Sequence, residues 1–173
     1  MRYSERSRSE QLAGSFEIKE SLEGCKVVVS TDGGRIRIFE KKRGPKTKKG
    51  RNLYKGAWRE PKALIVYTVR EDGSMERTFS PFIDGTLKGP DAVFSMIKFY
   101  LEKLGICDAV KVLFIADGAR WIWNRVEKLM ISLGVKKWYE LLDSYHAVEH
   151  LGKISELQKG WKASERKRWI KKT

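Results

Sequence analysis

Short apolar runs divided by polar turns set the plan of the chain. Residues 25–31 (CKVVVST) form a β-branched run that stops at Asp32, the pattern of a buried central strand. Gly33-Gly34 follow, and Arg35-Ile36-Arg37-Ile38-Phe39 alternate with period two, which predicts a second strand folded back on the first as a hairpin. Residues 63–69 (ALIVYTV) predict a third strand. Glu71-Asp72-Gly73-Ser74 then turns into a fourth segment around residues 75–79. Pro90-Asp91 opens a helix whose apolar positions Val93, Phe94, Ile97, Tyr100, Leu101 and Leu104 make one stripe, with Gly105 placed to stop it. Residues 110–116 (VKVLFIA) form the next buried strand, ending at Asp117. A helix over about 119–133 runs to Gly134, and residues 138–142 (WYELL) form a last strand ending at Asp143. From His146 onward the chain reads as helix and grows more basic. No internal repeat is present.

The order is therefore β-β-β-(β)-α-β-α-β-α. A meander followed by crossovers predicts an α/β fold with an RNase H-like mixed sheet: the first three strands antiparallel, the later ones parallel, with flanking helices. A flavodoxin-like sheet is the alternative, but it wants a helix where residues 41–51 stand. Three segments are expected: a loosely ordered stretch over 1–22, the core over 23–158, and a basic helix over 159–173 that begins a continuation beyond Thr173.

Charge adds a class of partner. The 173 residues hold 36 Lys and Arg against 22 Asp and Glu, a net +14, with 41% apolar residues and 19 Phe, Trp and Tyr. One sizeable core and a polyanionic partner follow, nucleic acid first among them. Residues 41–51 (KKRGPKTKKGR) carry seven cations in eleven positions, among them Lys41, Lys42, Arg43, Lys46, Lys48, Lys49 and Arg51, with two Gly and one Pro. That composition predicts an exposed loop that contacts phosphates. Residues 159–173 hold seven more, including Lys162, Arg166, Lys167 and Arg168. Trp58, Trp161 and Trp169 lie among these cations and suit stacking on unpaired bases. No apolar run approaches the roughly 18 residues that span a bilayer, and the first residues hold no signal-peptide core, so no membrane association and a cytoplasmic location are expected. Cys25 and Cys107 are read as small buried hydrophobes in a reducing compartment.

Asp32, Asp117 and Asp143 each end a predicted core strand. In a shared parallel sheet their carboxylates would gather at one edge, where open α/β sheets place their sites. A hard cation would relieve their repulsion. Mg²⁺ (or Mn²⁺) on Asp32 and Asp117 suits that position and the phosphodiester chemistry of metal pairs. Each residue also has a local explanation: Asp32-Gly33-Gly34 as a hairpin turn, Asp117-Gly118-Ala119 and Asp143-Ser144 as helix caps.

Several stretches, in order, resemble one group. They are Thr31-Asp32-Gly33-Gly34-Arg35-Ile36-Arg37, Trp58-Arg59-Glu60, Ala116-Asp117-Gly118-Ala119-Arg120-Trp121-Ile122, and the run Leu142-Asp143-Ser144-Tyr145-His146-Ala147-Val148-Glu149-His150-Leu151. Together they resemble bacterial insertion-sequence DDE transposases of the mutator-like superfamily, over roughly residues 25–155. The resemblance implies an RNase H-like core, Asp32 and Asp117 as the first two catalytic carboxylates, and Asp143 with His146 as the family's Cys/Asp-x-x-His motif. It implies double-stranded DNA (transposon ends and target) as partner, leaves a homo-oligomer open, and places the protein in a bacterial cytoplasm, on the nucleoid when bound. The family's third carboxylate, a Glu beyond a long helical insertion, has no counterpart here. Glu149, Glu156 and Glu165 do not match it by position.

A DNA transposase core, incomplete as an enzyme, is the reading that results. A catalytically inactive DNA-binding remnant and another RNase H-like nuclease are the alternatives. His146-Ala147-Val148-Glu149-His150 also reads as the inverted zinc-protease motif H-x-x-E-H, although that site needs a further carboxylate and a substrate cleft.

Overall fold

The computed structural model describes residues 20–41 and 44–172. Most of the expected loose N-terminal stretch, Lys42, Arg43, Thr173 and the side chain of Lys41 lie outside the described residues.

The β-branched runs become strands and the apolar stripes become helices. In chain order these are β1 (Lys26–Gly33), β2 (Ile36–Lys41), β3 (Tyr54–Arg59), β4 (Lys62–Val69), β5 (Phe82–Thr86), α1 (Pro90–Lys103), β6 (Lys111–Ala116), α2 (Arg120–Ser132), β7 (Trp138–Leu142), α3 (Ser144–Glu156) and α4 (Ala163–Ile170). Five strands make a mixed sheet in the order β5-β4-β1-β6-β7, and β2 with β3 makes a separate ribbon. β1 is antiparallel to β4 and parallel to β6, while β4 and β5 pair antiparallel and β6 and β7 parallel. The chain is thus α/β. A flavodoxin-like sheet is ruled out by the antiparallel β1–β4 pair and by the ribbon that stands where it wants a helix.

α1 and α2 both cover one face of this sheet. Val27 and Val29 of β1, Leu64 and Val66 of β4, and Val112 and Phe114 of β6 alternate inward there, as period two requires. They meet Val93, Ile97 and Leu101 of α1 and Ile122, Val126 and Met130 of α2. Pro90 starts α1 at a position where a missing N–H costs nothing, and Gly105 (φ 72°) ends it in the left-handed region. On the opposite face only Val28 is buried; Ile65, Tyr67, Leu113 and Ile115 are half-buried, and Ile83, Tyr139 and Leu141 are exposed. No described helix lends that face a buried apolar side chain.

Five expectations are corrected. β2 does not fold back on β1: β1 pairs with β4 and β2 with β3. A tight turn at Gly33-Gly34 would need left-handed backbone, and neither glycine has a positive φ. The fourth segment forms at Phe82–Thr86 rather than 75–79, where Met75 makes only an isolated bridge to Val69. Pro81 has no N–H for a ladder, so pairing begins after it. The helix beyond His146 is two helices, broken around Gly160 (φ 94°). The last residues of the N-terminal segment are docked: Leu22 is fully buried and its N–H donates to the Leu104 carbonyl at 2.8 Å. Cys25 is half-buried and Cys107 exposed, both free thiols.

Candidate functional site

The sheet register brings the three aspartates to one level. Thr31 stands opposite Ala116, and Ala116 opposite Leu142, so Asp32, Asp117 and Asp143 each follow the last of these positions on three neighbouring parallel strands. Such strands lie about 4.8 Å apart. The Asp143 N–H donates to the Ala116 carbonyl at 2.8 Å, extending the β6–β7 ladder to that level.

Each carboxylate is also held locally. Asp32 Oδ1 accepts from the Gly33 N–H at 2.6 Å, and Asp117 Oδ1 from the Ala119 N–H at 3.0 Å. Asp143 Oδ1 caps α3 by accepting from the Tyr145 N–H at 2.9 Å, while its Oδ2 lies 3.4 Å from His146 Nδ1. Beneath the row, Trp123 Nε1 donates to the Asp117 carbonyl at 2.7 Å and Thr31 Oγ1 to the Ala63 carbonyl at 2.7 Å. The second oxygens of Asp32 and Asp117 accept no hydrogen bond from the described residues. No group of three or more His, Cys, Asp or Glu among the described residues is placed to hold a metal ion. His146 and His150 of the H-x-x-E-H stretch share one side of α3, with His146 turned to Asp143 and His150 exposed.

The expected DNA contacts fall in two places. Lys46, Lys48, Lys49 and Arg51 are exposed on the loop joining β2 to β3, and Trp58 is exposed on β3. Lys162, Lys167 and Arg168 are exposed on or beside α4, and Arg166 is half-buried with its Nε unpartnered. Trp161 and Trp169 pack against each other with centroids 5.9 Å apart, so they share a contact of their own.

Two features were not legible in the sequence. Lys62 is 8% exposed, its ammonium 4.8 Å from the Trp121 ring centre and 3.5 Å from Glu60, beside the end of β1. A single cation at the start of an apolar run gives no sign of this. The other is the partner of β2. Tyr54–Arg59 carries a central Gly56 and no β-branched residue, so the strand signal was weak. Its pairing sets Arg35 over Trp58 at 4.8 Å, and within β2 Arg37 lies over Phe39 at 5.1 Å.

No helix among the described residues is long and apolar enough to cross a membrane. Compared with protein-family models, with curated proteins and with solved structures, the chain matches none.

Proposed function

We propose that this chain is an RNase H-like core of the DDE transposase type, acting on double-stranded DNA with Mg²⁺ or Mn²⁺ held by Asp32 and Asp117. One observation carries the reading: three aspartates stand at one level at the carboxyl ends of three adjacent parallel strands, the edge where open α/β sheets place their chemistry. The strand order, a meander β1-β4-β5 followed by the crossover strands β6 and β7, supports the RNase H-like form of the fold.

The donor set fits a hard, hydrated cation. Asp32 and Asp117 each keep one carboxylate oxygen free of hydrogen bonds from the described residues, and Mg²⁺ needs few protein ligands because it retains waters. When bound, the metal supplies an activated nucleophile and stabilises the leaving oxygen. The chain's own groups orient the ligands. The Gly33 and Ala119 N–H groups fix one oxygen of each carboxylate, and Trp123 pins the Asp117 backbone. Asp143 and His146 hold each other beside the pair.

A binding protein without chemistry is the second reading. It is favoured by the local N–H contact each carboxylate already has, which for Asp143 is a helix cap. Melting the purified chain with and without Mn²⁺ separates the two. A metal-dependent rise in Tm that Asp32→Asn and Asp117→Asn both abolish is expected of the catalytic core. A Tm indifferent to Mn²⁺ sinks the metal site and leaves the binding protein.

A further inference from the structure

The ribbon of β2 and β3 takes no part in the aspartate row, and no described side chain on it is buried. Antiparallel pairing puts opposed residues on one side, so Arg37↔Trp58 and Phe39↔Gly56 define a face that also holds Arg35 and Tyr54. Phe39, Tyr54 and Trp58 are 59%, 55% and 57% exposed. Trp58 and Tyr54 are the two diagonal neighbours of Phe39, so the rings stagger along the ribbon at steps of about 7–8 Å. Gly56 makes room for Arg37: a Cβ there would lie 2.5 Å from its Nε, so the guanidinium lies across the strand between the rings. Residues 35–40 and 44–59 hold eight Lys and Arg against one acidic residue, Glu40.

We infer that this face takes an unpaired stretch of DNA strand, its bases stacking on Trp58, Phe39 and Tyr54 and its phosphates meeting Arg35 and Arg37. The charge complements a phosphate backbone, and the three exposed rings have no use in a contact made to phosphates alone. In a duplex each base has neighbours about 3.4 Å away on both faces, which closes it to rings held on a ribbon. Unpaired bases stack on aromatic rings and on guanidinium planes alike. The ribbon leaves the sheet at Gly34, two residues beyond Asp32. This inference rests on the proposed DNA function and adds the state of the DNA that the ribbon holds.

The test is fluorescence anisotropy of the full chain, in EDTA, with labelled oligo-dT of about 16 nucleotides and a duplex of equal length. Oligo-dT is expected to bind more tightly than the duplex. Trp58→Ala and Phe39→Ala should each weaken oligo-dT binding about 5- to 150-fold, the effect of losing about 1–3 kcal/mol of stacking per base, and leave duplex binding unchanged. Trp58→Phe, which keeps a ring, should retain most of the affinity and so separates loss of stacking from loosening of the ribbon. Oligo-dT binding indifferent to both alanine substitutions overturns the inference, as does equal binding of strand and duplex. Strand binding through the rings without any Mn²⁺ response would sustain this inference and sink the catalytic reading, and a Mn²⁺ response with indifferent rings would do the reverse.

Discussion

Gly34 and Pro61 stand opposite each other where the β1–β4 ladder passes into the β2–β3 ladder, and the Gly34 N–H donates to the Pro61 carbonyl at 3.0 Å. The register is the same on both sides: Gly33 faces Lys62 before the joint, and Ile36 faces Arg59 after it. Pro61 has no N–H to return, so the ladder is thinned at this point without being shifted. The basic loop thus sits at the tip of one long hairpin whose root is the strand bearing Asp32.

If that tip touches phosphates, its cations control the salt dependence of duplex binding. Replacing Lys46, Lys48 and Lys49 with Ser should make the plot of log affinity against log salt shallower by about 0.9 for each phosphate that is no longer neutralised. All three side chains are exposed, so Tm should not move. An unchanged slope, measured by titration over a range of salt, would show that the loop is only solvated.

Asp143 offers a way to separate a cap from a ligand. Its Oδ1 caps α3, so Asp143→Ala should cost about 1 kcal/mol in urea unfolding, while Asp143→Ser, which can still cap, should recover most of it. If the Ser variant matches wild type in stability and in its Mn²⁺ response, the carboxylate is a cap and nothing more.

The two faces of the sheet should respond differently to truncation. Phe114 is fully buried between Phe94 and Trp123, with ring centroids 6.3 Å away in both cases. Phe114→Ala should cost about 3–5 kcal/mol. Leu141→Ala, on the uncovered face, should stay within about 0.5 kcal/mol. Comparable losses in urea unfolding would mean that the second face is covered in solution.

Acid should loosen the turn after β4. The Arg70 guanidinium forks onto Glu76 at 3.0 and 3.1 Å, and with the Thr78 N–H it draws the carboxyl down from its ordinary 4.5 to about 2. A carboxyl lowered on folding gives stability that is complete above its unfolded pKa and is lost as pH falls towards its folded one. The contribution should therefore fade between about pH 4.5 and 2, and it should be small because the pair is exposed. Glu76→Gln should flatten that part of the stability-against-pH curve. An identical acid limb in wild type and variant would remove Glu76 as its source.

Runs of one residue class were legible in the sequence and partnerships were not. Trp138–Leu142 forms as expected, and Lys111–Ala116 and Pro90–Lys103 to within a residue, because a short apolar or aromatic run and a helical stripe are each visible within their own segment. The placing of Asp32, Asp117 and Asp143 at strand ends was readable from the same runs. Their common level was not, since register depends on strands far apart in the chain. β2 was visible by its alternation, but its partner was hidden by Gly56, which has no side chain to show a pattern. The Asp32-Gly33-Gly34 stretch misled for a related reason: its composition suits a turn, and only its backbone shows that the chain runs straight on.

A single register through both ladders makes the hairpin extensible. Removing two residues from each strand beyond Gly34 would draw the tip in by about 7 Å, at about 3.4 Å per residue, and keep every remaining side chain on its side. Removing one from each would carry Phe39 and its companions to the reverse side, because alternation has a period of two. The reach of the protein is thus adjustable in fixed increments, like a telescoping mast on a fixed base, while Asp32 and its neighbours stay where the sheet holds them.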